Sequence, residues 1–445
     1  MRLLLIAYEF PPSPSPQSLR WTYLVRELAL QGHEVHVLTV DLGGETPGLP
    51  ALPASVHVHR TFPGPLRGAL ALHREYRQRN PRRTAPSPTG PGPSTAPVTA
   101  LRPPRNWKQR VSEAVQALAG MLQFPDIRGE WRRHGLSALR RLLAEVQPDL
   151  VVSSHEPATT LELGLAVSRS GIPWVADLGD PVLAPYTPRR WRRRSQRLER
   201  AVFRQAAHVI VTNPKALEQM RQRHGEATPM SVVTQGFDLS PAPVDVGADL
   251  FEPDRLELLY TGSLYAFRRI DVLLAALRCN PRIRLSIAAV TVPETILAAA
   301  RATPQQLRLL GFLPHRQALA LQRQADVLVN IANDDPAQIP GKFYEYLGAG
   351  RPVLHLADQA DPVADRIVAL RRGWTCPNDE AAIAGQLLQL YEAKTQQRLD
   401  EGLSLDTMQV RVHSWQALAR ELAALLQDVV ARADAGRRGS GASLA

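Results

Sequence analysis

The chain opens on an unbroken apolar run at residues 3–8, followed by helical spacing of apolar positions over 19–31. Gly32 stops that helix, and a second apolar run occupies 34–40. Short unbroken runs of this kind predict strands buried on both faces, and the intervening 3.6-residue period predicts a covering helix. The same order returns at 149–153, 173–177 and 208–212, each run preceded by a helix-like segment. Such alternation predicts an α/β unit with a doubly wound parallel sheet. A second series starts near residue 255, with expected strands at 256–261, 284–289, 306–310, 327–331 and 352–356 and a helix at 271–279.

The pattern divides the chain into a first unit at 1–240 and a second at 241–410, joined by a Pro-rich piece at 239–244. A helix is expected at 411–433, crossing back to the first unit, with a frayed tail at 434–445. Residues 81–104 are crowded with Pro, Ser, Thr, Gly and Ala and lack bulky apolar side chains. They are expected to form a disordered surface insertion, since they cannot offset their ordering entropy. Two facing units of this kind place a ligand at the carboxyl ends of their strands.

Composition narrows the class. The hydrophobic fraction of 44% is ordinary for a globular protein, and no apolar run reaches the 18 or so residues a membrane span requires. The apolar start is short and meets Glu9, Pro11 and Pro12, so it is expected to be a first strand and not a signal peptide. Cys279 and Cys376 are too few for a disulfide framework or a cysteine metal site, which favours a cytoplasmic location. The formal charge of +11 is largely arginine, dense at 74–83, 102–110, 128–141 and 189–194. Solvated helix faces and a face resting on anionic lipid at the inner side of the membrane both account for it. Nucleic acid is not expected as a partner, because no binding motif accompanies the charge.

Several motifs fall at expected strand ends. Tyr8-Glu9-Phe10-Pro11-Pro12 follows the first strand, and His155-Glu156-Pro157 and Ala176-Asp177-Leu178-Gly179-Asp180-Pro181 follow later ones. Tyr260-Thr261-Gly262-Ser263-Leu264, Gly311-Phe312-Leu313-Pro314-His315 and the segment from Gly341-Lys342 through Glu345 to Gly350-Arg351-Pro352 lie in the second unit. In this order they resemble the GT4-type retaining glycosyltransferases, over nearly the whole chain. The resemblance implies the GT-B fold, with two Rossmann-like domains facing each other across a cleft. It also implies an enzyme that moves a hexosyl or related group from a nucleotide-diphosphate sugar to a glycolipid, oligosaccharide or polysaccharide acceptor.

The resemblance assigns roles as well. Glu345 matches the glutamate that binds the donor ribose, and a carboxylate accepting two hydroxyls suits that task. The reading from the residues alone is an exposed helical glutamate paired with Lys342. Gly262, Ser263, Phe312, Leu313 and Lys342 are expected at the donor. The family's diphosphate-binding lysine falls on Arg268 or Arg269, and its preceding arginine on Ser263. No cofactor or metal is expected, since basic side chains and a helix N-terminus can neutralise a diphosphate. His155 matches a histidine beside the transferred sugar, expected to donate a hydrogen bond to a sugar hydroxyl. Ser15, Asp177 and Asp180 are expected on the acceptor side.

Besides Ser263, this sequence departs from the family at three places: Ala337 where a second glutamate often stands, Gly179 in place of an arginine, and Ser13-Pro14-Ser15-Pro16 where glycines are usual. Ala337 and the missing glycines near Ser15 favour an alternative, a catalytically silent nucleotide-binding subunit supporting a partner enzyme, while Glu345 and His155 oppose it. A Rossmann-type oxidoreductase is disfavoured because no Gly-x-Gly-x-x-Gly follows the first strand.

Overall fold

The computed structural model describes residues 1–44, 48–69, 123–184, 187–241, 243–244, 250–265, 268–333, 339–359 and 361–442. The Pro-rich segment 81–104, the arginines of 74–83 and 102–110, and Ala337 with its neighbours lie outside these residues.

The first unit runs β1 (Arg2–Ala7), α1 (Pro16–Leu30), β2 (Glu34–Val40), β3 (Val56–Thr61), α2 (Arg132–Val146), β4 (Leu150–His155), α3 (Ala158–Val167), β5 (Trp174–Leu178), α4 (Arg192–Gln205), β6 (His208–Val211), α5 (Pro214–His224) and β7 (Met230–Val232). Its sheet is parallel throughout, in the order β3-β2-β1-β4-β5-β6-β7. The apolar run at its start is split between two cores. Leu4, Ile6 and Tyr8 pack under α2 and α3, while Leu3, Leu5 and Ala7 pack on the opposite face with Trp21, Leu24 and Leu28 of α1. This is why the run does not alternate: both faces of a central parallel strand are buried.

The second unit comprises β8 (Leu256–Thr261), α6 (Ile270–Ala276), β9 (Ile283–Ala288), α7 (Glu294–Ala302), β10 (Leu307–Gly311), α8 (His315–Gln324), β11 (Val327–Ile331), α9 (Gly341–Ala349), β12 (Val353–Leu356), α10 (Pro362–Ala369), β13 (Gly373–Cys376) and α11 (Glu380–Thr395). Its strands form a second parallel sheet, in the order β10-β9-β8-β11-β12-β13. Two parallel sheets with helices on both faces give the doubly wound GT-B arrangement.

The last helix, α12 (Trp415–Ala442), returns to the first unit. Trp415, Leu418, Leu422, Leu426 and Val429 complete the core beneath α1, and the Trp415 ring stacks on Tyr23 at 5.5 Å. The chain therefore crosses between units twice, once after β7 and once before α12. The two crossings touch: the amide of Phe237 donates to the His413 carbonyl, and the amide of Trp415 donates to the Phe237 carbonyl.

Candidate functional site

On the second unit, Gly262 follows β8 and turns the chain with φ +109°, a region that a side chain would strain. The nearest atom to a Cβ placed there is Cδ of Lys342, at 3.8 Å. The turn thus leaves room for the lysine stem, which reaches from the first turn of α9. The ammonium of Lys342 lies 3.4 Å from the centre of the Tyr260 ring and 5.8 Å from that of Tyr346. Its Nζ is buried and has no hydrogen-bond partner among the described residues. Burial, and next the nearby Arg268, hold its pKa well below the ordinary lysine value, against the pull of Glu345.

Arg268 is buried beside it. Its guanidinium donates to the Tyr260 hydroxyl at 2.8 Å, the Ser263 carbonyl at 3.0 Å and Asn333 Oδ1 at 3.0 Å. Arg269 goes elsewhere: it pairs with Asp358 at 3.1 Å, with both side chains about half exposed. Of the two arginines expected as alternatives at the diphosphate, the structure brings only Arg268 to Lys342 and the Gly262–Ser263 turn.

Glu345 stands one turn after Lys342 on α9 but does not pair with it. Its Oε1 lies 2.9 Å from Nε2 of His315, and its Oε2 accepts from Nε2 of Gln322 at 3.4 Å. Gln322 also donates to the Thr261 hydroxyl at 3.1 Å, which lies 3.2 Å from the Tyr346 hydroxyl. The carboxylate is thus oriented from two sides while keeping lone pairs available. His315, Gln322 and Tyr346 were not singled out in the sequence as site residues. His315 stood within the quoted Gly311–His315 motif, whose Phe312 is half exposed and whose Leu313 is partly buried.

The first unit reaches this network. Tyr23 of α1 places its hydroxyl 3.5 Å from Nδ1 of His315. Gly48 approaches so closely that a Cβ there would sit 2.7 Å from the His315 backbone nitrogen.

Across the cleft, His155 ends β4 and is buried. Its Nδ1 is 2.8 Å from the Asp180 carbonyl. A carbonyl can only accept, so Nδ1 carries the proton. Burial lowers the pKa of this ring, outweighing the opposite pull of Glu156, and so favours the neutral form. A neutral ring protonated at Nδ1 presents Nε2 as an acceptor. The expectation that His155 donates to a sugar hydroxyl does not fit this tautomer, in which Nδ1–H is taken by the Asp180 carbonyl and Nε2 is left as an acceptor.

Asp177 requires a larger correction. It does not face the cleft; it is fully buried, receiving Arg20 at 2.8 and 2.9 Å and the Trp21 indole at 3.0 Å. An ion pair so enclosed orients α1 against the sheet. Asp180 contributes its carbonyl to His155. Ser15 caps α1, its hydroxyl accepting from the Ser18 amide at 3.1 Å. Gln17, two residues on, donates to the His155 carbonyl at 3.1 Å. At Gly179 any Cβ would meet the Gln17 amide at 1.4 Å, so Gln17 fills the space where an arginine stem would start.

Beside His155, Arg128 is held by three carboxylates: Asp126 at 2.7 Å, Glu9 at 3.0 Å and Glu156 at 3.5 Å. Its pKa is driven higher still by Asp126, then Glu156 and Glu9, despite its burial.

Comparison with known proteins bears on the fold. Residues 17–236 match the glycosyl transferase 4-like domain family. No curated protein matches the chain in sequence. Among solved structures, sucrose-phosphate synthase from Thermosynechococcus elongatus is similar over 97% of this chain and 100% of its own, with TM-score 0.67 and 17% identity. The α,α-trehalose 6-phosphate synthase from Burkholderia multivorans is similar over 97% and 99%, with TM-score 0.61 and 14% identity. WaaG, a glycosyltransferase involved in lipopolysaccharide biosynthesis, is similar over 98% of each chain, with TM-score 0.53 and 15% identity.

Proposed function

We propose that this chain, GT-B in fold and with residues 17–236 matching the glycosyl transferase 4-like domain family, is a glycosyltransferase that moves a sugar from a nucleoside-diphosphate donor to a glycolipid or polysaccharide hydroxyl, with retention and without a metal. One observation carries the donor assignment: a buried ammonium without a hydrogen-bond partner, Lys342, set against Arg268 at the carboxyl edge of the second sheet. Two buried cations side by side are unfavourable until an anion joins them. A diphosphate supplies that charge, and the leaving diphosphate gains most from it as the sugar–oxygen bond breaks.

Glu345 would then hold the ribose hydroxyls, with the base beside the Phe312–Leu313 edge. His155 would accept from a hydroxyl of the transferred sugar through Nε2. The acceptor hydroxyl attacks the anomeric carbon, the bond to the diphosphate breaks, and the acceptor proton leaves with it.

The glycolipid reading is supported by the neighbour that acts in lipopolysaccharide biosynthesis and by the basic helix α4, where Arg193, Arg197, Arg200 and Arg204 are exposed. Part of that basic face is internally paired, Arg194 with Glu162 at 2.7 Å. The expected location is cytoplasmic, with peripheral contact to anionic membrane. No described helix is long and apolar enough to cross a membrane.

The test is calorimetric titration of the full chain with a panel of nucleoside diphosphates and their sugars, in EDTA. Binding of one nucleoside diphosphate without added metal is expected, followed by its release from the cognate sugar nucleotide when a lipid-linked acceptor is supplied. Failure of every nucleoside diphosphate to bind the folded protein would overturn the donor assignment.

A further inference from the structure

A second cluster of ligating side chains lies at the opposite, amino end of the first sheet. Glu34 opens β2, and His36 follows on the same face. His57 of the edge strand β3 is in register with His36, and His59 is two residues further along that face. The His36 and His57 ring centres are 4.8 Å apart. Nε2 of His36 lies 3.0 Å from Glu34 Oε1, and its Nδ1 lies 3.0 Å from His59 Nε2. One ligand atom from each of Glu34, His36 and His57 lies within 4.8 Å of the other two.

We propose that Glu34, His36 and His57 bind a divalent ion of the zinc class, with His59 orienting His36. Two imidazoles and a carboxylate form a ligand set for zinc, with water or a second carboxylate oxygen completing a tetrahedron. Bond lengths near 2.1 Å imply ligand atoms about 3.4 Å apart. The Glu34–His36 separation of 3.0 Å is already close to that. Glu34 and His57 are exposed and can rotate inward, whereas His36 is buried and fixed. His59 supplies the outer hydrogen bond that sets the tautomer of a ligating histidine. It accepts from Nδ1 of His36 and leaves Nε2 as the metal-facing atom.

The charges around the cluster balance. Arg2 lies near Glu34, and Arg141 and Glu145 of α2 lie near His59. A bound ion would tie the edge strand to its neighbour, far from the transfer chemistry at the strands' other ends.

The competing arrangement is a metal-free chain in which His59 donates to His36 and His36 donates to Glu34. Cobalt(II), followed by zinc displacement, separates the two on the full chain prepared without a polyhistidine tag and stripped with EDTA. Expected are tetrahedral visible bands saturating at one equivalent, lost in both His57→Ala and Glu34→Gln. In His59→Ala the stoichiometry should persist with affinity about 10- to 100-fold weaker. Nucleoside-diphosphate affinity should be the same with and without zinc. Absence of tetrahedral bands, or bands undiminished by His57→Ala, would overturn the proposal.

Discussion

On the second-unit wall of the cleft the Lys342 ammonium is buried without a hydrogen-bond partner among the described residues, against aromatic faces and beside Arg268, with Glu345 exerting the opposing pull. On the first-unit wall Arg128 is surrounded by Glu9, Asp126 and Glu156. Both walls are built at the carboxyl ends of parallel strands, yet one leaves its ammonium without a hydrogen-bonded counter-ion and the other surrounds its guanidinium with carboxylates. The first arrangement stores unfavourable electrostatics that an anion relieves. The second has none to relieve, and its carboxylates disfavour a further anion. Recognition there must come from hydroxyl hydrogen bonds, which His155 Nε2 and the outer lone pairs of the carboxylates can accept.

The largest expected effect comes from Lys342→Met, which removes the ammonium but keeps the stem's volume. Losing one partner of a desolvated charge pair costs about 2–5 kcal/mol. Nucleoside-diphosphate affinity should therefore drop by at least about 30-fold in calorimetry. The melting temperature without ligand should rise, because an uncompensated buried charge has gone. A variant that binds normally, or one destabilised by the change, breaks the contrast between the walls.

Glu345→Gln comes next. Hydrogen bonds to charged groups contribute about 1.5–3 kcal/mol, so the same titration should show roughly a 10- to 100-fold loss. Wild-type affinity would remove the ribose assignment.

His155→Ala should leave nucleoside-diphosphate affinity intact and slow turnover about tenfold, the worth of one neutral hydrogen bond made to the sugar. A loss of nucleotide affinity instead would move His155 to the donor wall.

The smallest effect is in pH. The free protein holds Lys342 below its ordinary pKa, and a bound diphosphate raises it. Binding then takes up a proton between those two values. Affinity should be full below the free-state value and fall by at most about tenfold per pH unit as pH rises through that window. Calorimetry in buffers of different ionisation enthalpy reads the proton uptake, and none should remain in Lys342→Met.

Much of this architecture was legible because apolar runs report burial directly. Residues 3–7, 35–40 and 327–331 all lie in strands and are buried there. Of the four edge strands, β10 was expected at 306–310 and the other three were not. Val56–Thr61 reads Val-His-Val-His-Arg-Thr, and Met230–Val232 and Gly373–Cys376 are only three and four residues long. Edge positions are half covered, so their sequences carry half the signal.

In the site, Lys342 and Glu345 stand in a contiguous motif, and proximity along α9 keeps them together. What decides their state does not. Arg268 reaches Lys342 from a different loop, and His315 and Gln322 reach Glu345 from α8. Asp177 was misplaced for the same reason. Its partner Arg20 is 157 residues away in sequence, and nothing local to the strand end announces an ion pair.

The return of α12 to the first unit bears on how the protein is made. The core under α1 needs Trp415, Leu418, Leu422 and Leu426, which leave the ribosome only after the whole second unit. At roughly 5–20 residues per second, synthesis of the second unit occupies roughly 10–40 s after the first unit has emerged. During that interval the apolar faces of Trp21, Tyr23 and Leu24 lack their cover. The second unit, by contrast, has its whole sheet as soon as Cys376 is out. The half made first is finished last, and the nascent chain must wait with an open seam along α1.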